Sequence, residues 1–200
     1  MTSRVPAILF ISLVACGSPP PLFGDFTPTN GAAVILAPAT CSNIAFLGPT
    51  AMSGILIELS SGSDACNVLT QAKQCGTGAG STTPLAGAFS GDVGRSSVAP
   101  AAPGTYPWLA NPPSGKFNAS ISSAAQVDAV CTSASGSPTQ MSSGSITVST
   151  VTASNVTGSM DVRFDNGQAY THPFDAAVCP ISIDVCSVFS LCGTHSCVQP

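Results

Sequence analysis

"SGSITVSTVTASNVTGSMDVRFDNGQAYTHPFDAAVC", residues 143–179, decides the fold. Ile146 and Val148 alternate with Thr147 and Ser149, and Met160, Val162 and Phe164 alternate with Ser159, Asp161 and Arg163. That period of two is the mark of strands with one buried face. "TASN" (152–155) separates the two runs as a turn, and Asn166-Gly167 demands a second turn before Tyr170. Register fixes the length of this second turn. A two-residue Asn-Gly loop pairs Asp165 with Gln168 and sends Tyr170 and Phe174 to the polar face. A three-residue Asp-Asn-Gly loop with a glycine bulge pairs Phe164 with Gln168, so Tyr170 faces Val162, His172 faces Met160 and Phe174 faces Gly158. A slip of one residue turns every side chain over, and only the bulged register gathers the apolar residues on one face. The stretch predicts a three-stranded antiparallel meander.

Upstream, short apolar runs bounded by Gly, Pro or Ser continue the pattern: "AAVILAP" (32–38), "NIAFLG" (43–48), "SGILIELSS" (53–61), "PLAGAFSG" (84–91), "GTYPWL" (104–109), "GKFNASIS" (115–122) and "AQVDAVC" (125–131). In the third, Ile55, Ile57 and Leu59 alternate against Leu56 and Glu58. Strands at intervals of roughly ten residues predict an all-β fold, an antiparallel sandwich or sandwich-like sheet ending in the meander. One short helix is expected in "SDACNVLTQAKQCG" (63–76), where Ser63 or Asp64 suits the start and Gly76 the end. If that helix ran unbroken, Cys66 and Cys75 would stand about 13.5 Å apart along its axis, against the roughly 7 Å a disulfide tolerates. Either the helix bends or the two cysteines bond elsewhere.

Charged residues make up 7% of the 200, while 29 serines and 18 threonines supply the polarity. The net charge of −4 comes from nine acids and five bases spread thinly, with no basic stripe to neutralise phosphates, which argues against a nucleic-acid partner. Nine cysteines are too many for a reducing compartment unless they hold metal. The spacing does not suit zinc: Cys179, Cys186, Cys192 and Cys197 are separated by six, five and four residues, no CxxC occurs, and the nearby imidazole, His195, is two residues from Cys197. Disulfides are the expected state, with no metal and no cofactor. Cys131 and Cys179 bracket the meander and form the best candidate pair. The tail "PISIDVCSVFSLCGTHSCVQP" (180–200) is too small for a core of its own and is expected to be stapled to the domain, Cys41 being a candidate partner.

At the other end, Arg4 precedes an apolar run, Val5 to Ala15, far short of the ~20 residues that span a bilayer. Leu13-Val14-Ala15-Cys16 closes it and resembles the lipobox of bacterial lipoproteins. The resemblance implies a signal peptide over 1–15, removed before Cys16, and diacylglycerol on the Cys16 thiol with a further acyl chain, such as palmitate, on the new amino terminus. Several chains exceed the two signals that stable anchoring needs, at about 0.8 kcal/mol per buried CH₂. Gly17 in place of Asp implies export to the outer membrane, facing periplasm or exterior. The Pro/Gly/Ser-rich 16–31 reads as attachment site and flexible tether, 32–179 as the β domain and 180–200 as a cysteine-rich tail packed on it. With Cys16 set aside, eight cysteines remain, Cys41, Cys66, Cys75, Cys131, Cys179, Cys186, Cys192 and Cys197, an even number able to pair fully.

A second resemblance rests on the Gly-x-Ile-Thr strand, "VTGSMDVRF", the "DNG" turn, "FDAAVC" and, more loosely, "ILIELSS", "DAC" and "GTY". These are similar to small lipoproteins of the myxobacterial type, a family for which no activity is established, so the likeness implies a fold and no reaction.

Signs of catalysis are poor. No G-x-S-x-G elbow occurs, and "GTGAGS" (76–81) neither follows a strand nor carries the lysine of a phosphate loop. His172 with Asp161 or Asp175 is the best candidate for acid–base work, and a histidine midway along a strand is more often packed than catalytic. Asp25, Asp165 and Asn166 offer oxygen ligands for calcium without the loop that organises them. Asn118 and Asn155 match N-x-[ST], which carries little meaning in a bacterium. Tyr106 and Trp108 alternate onto one face of a strand entering a Pro-rich loop, where exposed rings would stack on a glycan or peptide, although the single tryptophan is more often core. The expectation is a lipid-anchored envelope lipoprotein with a non-enzymatic structural or ligand-binding role, the alternative being a secreted hydrolase.

Overall fold

A computed structural model of the chain describes residues 28, 30–44, 48–60, 65–66, 82–109, 114–126 and 139–188. Eight strands follow in order: β1 (Asn30–Ile44), β2 (Gly48–Ser60), β3 (Thr82–Val93), β4 (Gly104–Pro107), β5 (Lys116–Gln126), β6 (Thr139–Val151), β7 (Asn155–Phe164) and β8 (Ala169–Val178). A single helical turn, α1 (Val185–Val188), comes after them. The fold is all-β, as the alternation requires.

The meander has the bulged register. Tyr170 stands opposite Val162, His172 opposite Met160 and Phe174 opposite Gly158. Phe164 N–H donates to the Gln168 carbonyl (2.8 Å) and Gly167 N–H to the Phe164 carbonyl (3.0 Å). Gly167, at φ +85°, takes the left-handed position that other residues resist. The 152–155 turn is closed by Thr152, whose N–H donates to Asn155 O and whose hydroxyl accepts from Asn155 N–H.

The strands form one mixed sheet, in the order β4-β6-β5-β3-β2-β1-β8-β7, that folds back on itself until β7 also pairs with β6. Its opposing walls give the sandwich-like arrangement. Three junctions close the ring. β1 meets β8 in parallel over three pairs, Gly31–Ala176 to Ala33–Val178. β5 meets β6 over two, Ser123–Gln140 and Ala124–Thr139. β4 lies along β6, Tyr106 opposite Ile146, and reaches β5 through the bridge of Trp108 to Ser120. The strand expected at 43–48 is not separate: β1 runs on through Ile44, which pairs directly with Gly48. Of the helix expected over 63–76, Ala65 and Cys66 are described, and both are helical; β5 takes 125 and 126 of the run "AQVDAVC", and 127–131 lie outside the described residues.

Two apolar layers result. Inside the curled sheet lie Ile55, Ile57, Leu59, Ile146, Val148, Met160, Val162, Phe164, Tyr170 and Phe174. Each such side chain contributes about 1.5–3 kcal/mol on burial. The second layer is on the outer face of β1 and β2, where Val34, Leu36, Met52 and Leu56 are covered by Ala65, Cys179, Ile183 and Val185. Phe89 joins this layer by lying across two glycines: a Cβ on Gly87 or Gly54 would stand 2.3 or 2.6 Å from its ring. Both strands are therefore buried on two faces.

Two disulfides pin the cover. Cys41 of β1 is joined to Cys186 of α1, Cα–Cα 5.2 Å, so the tail is stapled to Cys41 as expected. Cys66 is joined to Cys179, Cα–Cα 5.5 Å. The expected pairing of Cys179 with Cys131 is thereby corrected. Cys179 N–H donates to Ala33 O, which fixes the residue beside β1 on the covered face, within reach of Cys66. Cys131 lies outside the described residues, with Cys16, Cys75, Cys192 and Cys197.

Candidate functional site

The aromatic platform expected from Tyr106 and Trp108 does not exist. Pairing of Tyr106 with Ile146 turns its ring inward, where it is 2% exposed, and its hydroxyl donates to the Ala102 carbonyl. Trp108 is half-buried against the same core, and its backbone N–H donates to Gly144 O (2.9 Å). Both rings are structural because β4 fills the angle between β5 and β6, facing the core.

His172 is separated from its proposed carboxylates by the parity of the strand. It lies on the inner side of β8 with Tyr170, the two rings stacked at 5.9 Å and 13°. Asp161 and Asp175 project from the outer side. Asp161 accepts a hydrogen bond from the Thr171 hydroxyl (3.0 Å), and Asp175 accepts one from Asn155 Nδ2 (2.6 Å). The imidazole Nδ1 bonds instead to the carbonyl of Pro173. In β8 the groups of residues 170, 172 and 174 point to β7, so those of 171, 173 and 175 point to the side on which β1 pairs from Ala176 onward. On that side Pro173 has no N–H, and His172 occupies its carbonyl.

Asp165 and Asn166 serve the turns: Asp165 Oδ1 accepts from Gln140 N–H (3.3 Å), and Asn166 Oδ1 accepts from Gln168 N–H (3.0 Å). Among the described residues no three His, Cys, Asp or Glu side chains gather as a metal site would require. Asn118 is exposed on β5, its Oδ1 accepting from the Ser90 hydroxyl (2.9 Å). His195 and Asp25 lie outside the described residues. No helix among the described residues is long and apolar enough to cross a membrane.

What remains outside is hydroxyl-rich. On the outer face of β4, β6, β7 and β8, Thr105 approaches Thr147 (3.4 Å) and Thr150 meets Thr157 (2.7 Å), with Ser145, Ser159 and Thr171 between. A shallow groove of about 320 Å³ lies where Pro38, Ala39 and Thr40 of the β1 bulge meet Ser96, Ser97 and Val98. It carries no charge. Thr40 closes one side through its hydroxyl, which donates to Ser96 O (3.1 Å).

Sequence reasoning missed Glu58. Its alternation with Ile57 and Leu59 marks it as outward-facing, and it is; yet the outer face of β2 is the covered one, so the side chain is 2% exposed and Oε1 has no hydrogen-bond partner. Burial pushes its carboxyl up to about 8. The available signal was its setting in "GILIELS", a run too apolar for a strand with one face in water. No protein-family model, curated protein or solved structure matches this chain.

Proposed function

We propose that the protein is a lipid-anchored lipoprotein of the bacterial cell envelope, held through acylated Cys16, with a non-enzymatic, structural role. The observation that carries the reading is Leu13-Val14-Ala15-Cys16 at the end of an eleven-residue apolar run, followed by a Pro/Gly/Ser tether. Cysteine use supports it: four of the remaining eight cysteines are joined in two bridges, the state of an oxidising compartment, and an even set leaves Cys16 free for the lipid. A non-enzymatic role is supported by the site geometry, in which the best histidine lies on the inner side of β8 with its Nδ1 on the Pro173 carbonyl, while its candidate carboxylates face the other way. The domain then acts by displaying a rigid, hydroxyl-covered sheet near the membrane, with lipid as its partner.

Labelling with radioactive palmitate in a bacterial host tests this. The wild-type chain is expected to incorporate label and Cys16→Ser to lose it. Continued labelling of the variant, or a disulfide found at Cys16 by mass spectrometry, overturns the reading.

A further inference from the structure

Asn-Gly occurs twice in the chain, at Asn30-Gly31 and at Asn166-Gly167. The pair carries an intrinsic reaction, because a glycine without a side chain lets its backbone nitrogen reach the asparagine carboxamide. Both asparagines are exposed, so access of water does not distinguish them. The hold on each glycine nitrogen does. Gly31 is paired on two sides, with Leu59 of β2 and with Ala176 of β8. A Cβ on it would stand 3.0 Å from Asp175 O and 3.1 Å from Ala176 Cα, so β8 lies close against it. Freeing Gly31 means parting β1 from β8, the junction that closes the ring. Gly167 instead sits at the tip of the β7–β8 hairpin, where its N–H donates to Phe164 O (3.0 Å). The Asn166 carboxamide is held by the residue beyond, Oδ1 accepting from Gln168 N–H (3.0 Å) and Nδ2 donating to Gln168 Oε1 (3.2 Å). A Cβ on Gly167 would meet nothing within 4 Å, so no other segment packs on that side of the turn.

We propose that Asn166 is the site of a spontaneous modification of the folded protein, conversion to aspartate or isoaspartate gated by opening of its turn, and that the closed ring protects Asn30 from the same reaction. When the turn opens, Gly167 N–H leaves Phe164 O and gives its proton to hydroxide. The nitrogen attacks Asn166 Cγ, the bond from Cγ to Nδ2 breaks, and ammonia departs with a proton from water, which restores the hydroxide. The cyclic imide then takes up one water. Addition at Cγ gives aspartate, and addition at the main-chain carbonyl gives isoaspartate, whose peptide link runs through the side chain. For each asparagine converted, one water enters and one ammonia leaves, with no change of oxidation state. Either product sets a second carboxylate beside Asp165, whose own Oδ1 accepts from Gln140 N–H. Isoaspartate also adds one carbon to the main chain of the turn that sets the β7–β8 register.

The test is peptide mapping by mass spectrometry of the full chain, kept folded in mildly alkaline buffer and, in parallel, reduced and unfolded in guanidinium. The gain in mass from amide to acid is followed at each Asn-Gly, and each site is compared with its own rate in the unfolded chain. Asn166 is expected to convert about 10- to 100-fold more slowly in the folded protein, the cost of a local opening, and Asn30 to be slowed by at least about a further 10-fold, since its release needs a larger one. Gln168→Ala removes the bond from Asn166 Nδ2 and leaves the backbone bonds of the turn. It is expected to speed Asn166 about threefold in the folded chain and to leave Asn30 unchanged. Equal slowing of the two sites in the folded chain overturns the proposal, because the ring then protects no more than the turn. Conversion of Asn166 at its unfolded rate overturns it too, since the turn then gates nothing, as does an Asn166 that stays intact in the folded chain.

Discussion

The ring of Phe174 lies against Gly158, the residue directly opposite it on the neighbouring strand. A Cβ built on Gly158 would stand 2.6 Å from Phe174 Cζ and 2.0 Å from the Thr147 carbonyl oxygen. The glycine lets a large ring fill the core between two strands. Gly158→Ala is therefore expected to cost about 3 kcal/mol, the upper end of overpacking, because one of the clashing atoms is backbone and cannot turn aside. Urea unfolding would read this as a lower midpoint, with the exposed neighbour Ser159→Ala within about 0.5 kcal/mol of wild type.

Glu58 makes stability depend on pH. Its carboxyl is raised by burial from the ordinary 4.5 to about 8. Between these values the folded state keeps a proton that the unfolded chain has released, so each pH unit removes about 1.4 kcal/mol of stability, until the loss levels off above the folded value. Stability should fall from pH 5 to 8 by an amount on the order of a few kcal/mol. In Glu58→Gln, which has no proton to lose, denaturant midpoints over this range should be nearly flat; an unaltered slope would place the titrating group elsewhere.

Tyr106 is tied to Ala102 twice, donating to its carbonyl and accepting from its N–H (3.3 Å). Tyr106→Phe keeps the ring and strands both backbone groups. A loss of about 1–2 kcal/mol is expected by thermal or urea unfolding. Little or no loss would mean that water replaces the hydroxyl.

The same variant leaves Tyr170 as the chain's single tyrosine. Burial pushes that phenol up to about 12. Absorbance of the tyrosinate should therefore stay flat through pH 10 to 11, where a solvated phenol is half ionised or more. A transition near 10 with the fold intact would show that water reaches the ring.

The meander is legible in the sequence because parity and turn chemistry are local. Phe164, Val162 and Met160 can share a face with Tyr170 and Phe174 in one register only, and Gly167 supplies the turn that this register needs. Which distant strands meet is not written locally. Nothing in "AAVILAP" distinguishes a strand flanked by β2 alone from one that also accepts β8, and so Cys179 looked closer to Cys131 than to Cys66. The functional reading of Tyr106 failed for the same reason, since the choice of β6 as partner turned the ring inward. The alternation of Glu58 with Ile57 and Leu59 gives its direction but not its burial, because a face covered by a segment more than 100 residues away looks polar from its own strand. His172 was weighed as acid–base chemistry or packing; it stacks on Tyr170 and bonds to the Pro173 carbonyl, contacts that alternation alone does not reveal.

The parallel junction of Gly31 with Ala176 sets the order in which the molecule can be made. β1 leaves the ribosome first and β8 last, so the earliest strand has one side unsatisfied until nearly the whole chain exists. Contacts of such sequence separation form slowly, after local hairpins. Closure of the ring therefore waits for β8, and a chain cut before Ala176 would keep most of the β7–β8 hairpin and lack the junction to β1. The first of the described strands is thus completed only by the last of them.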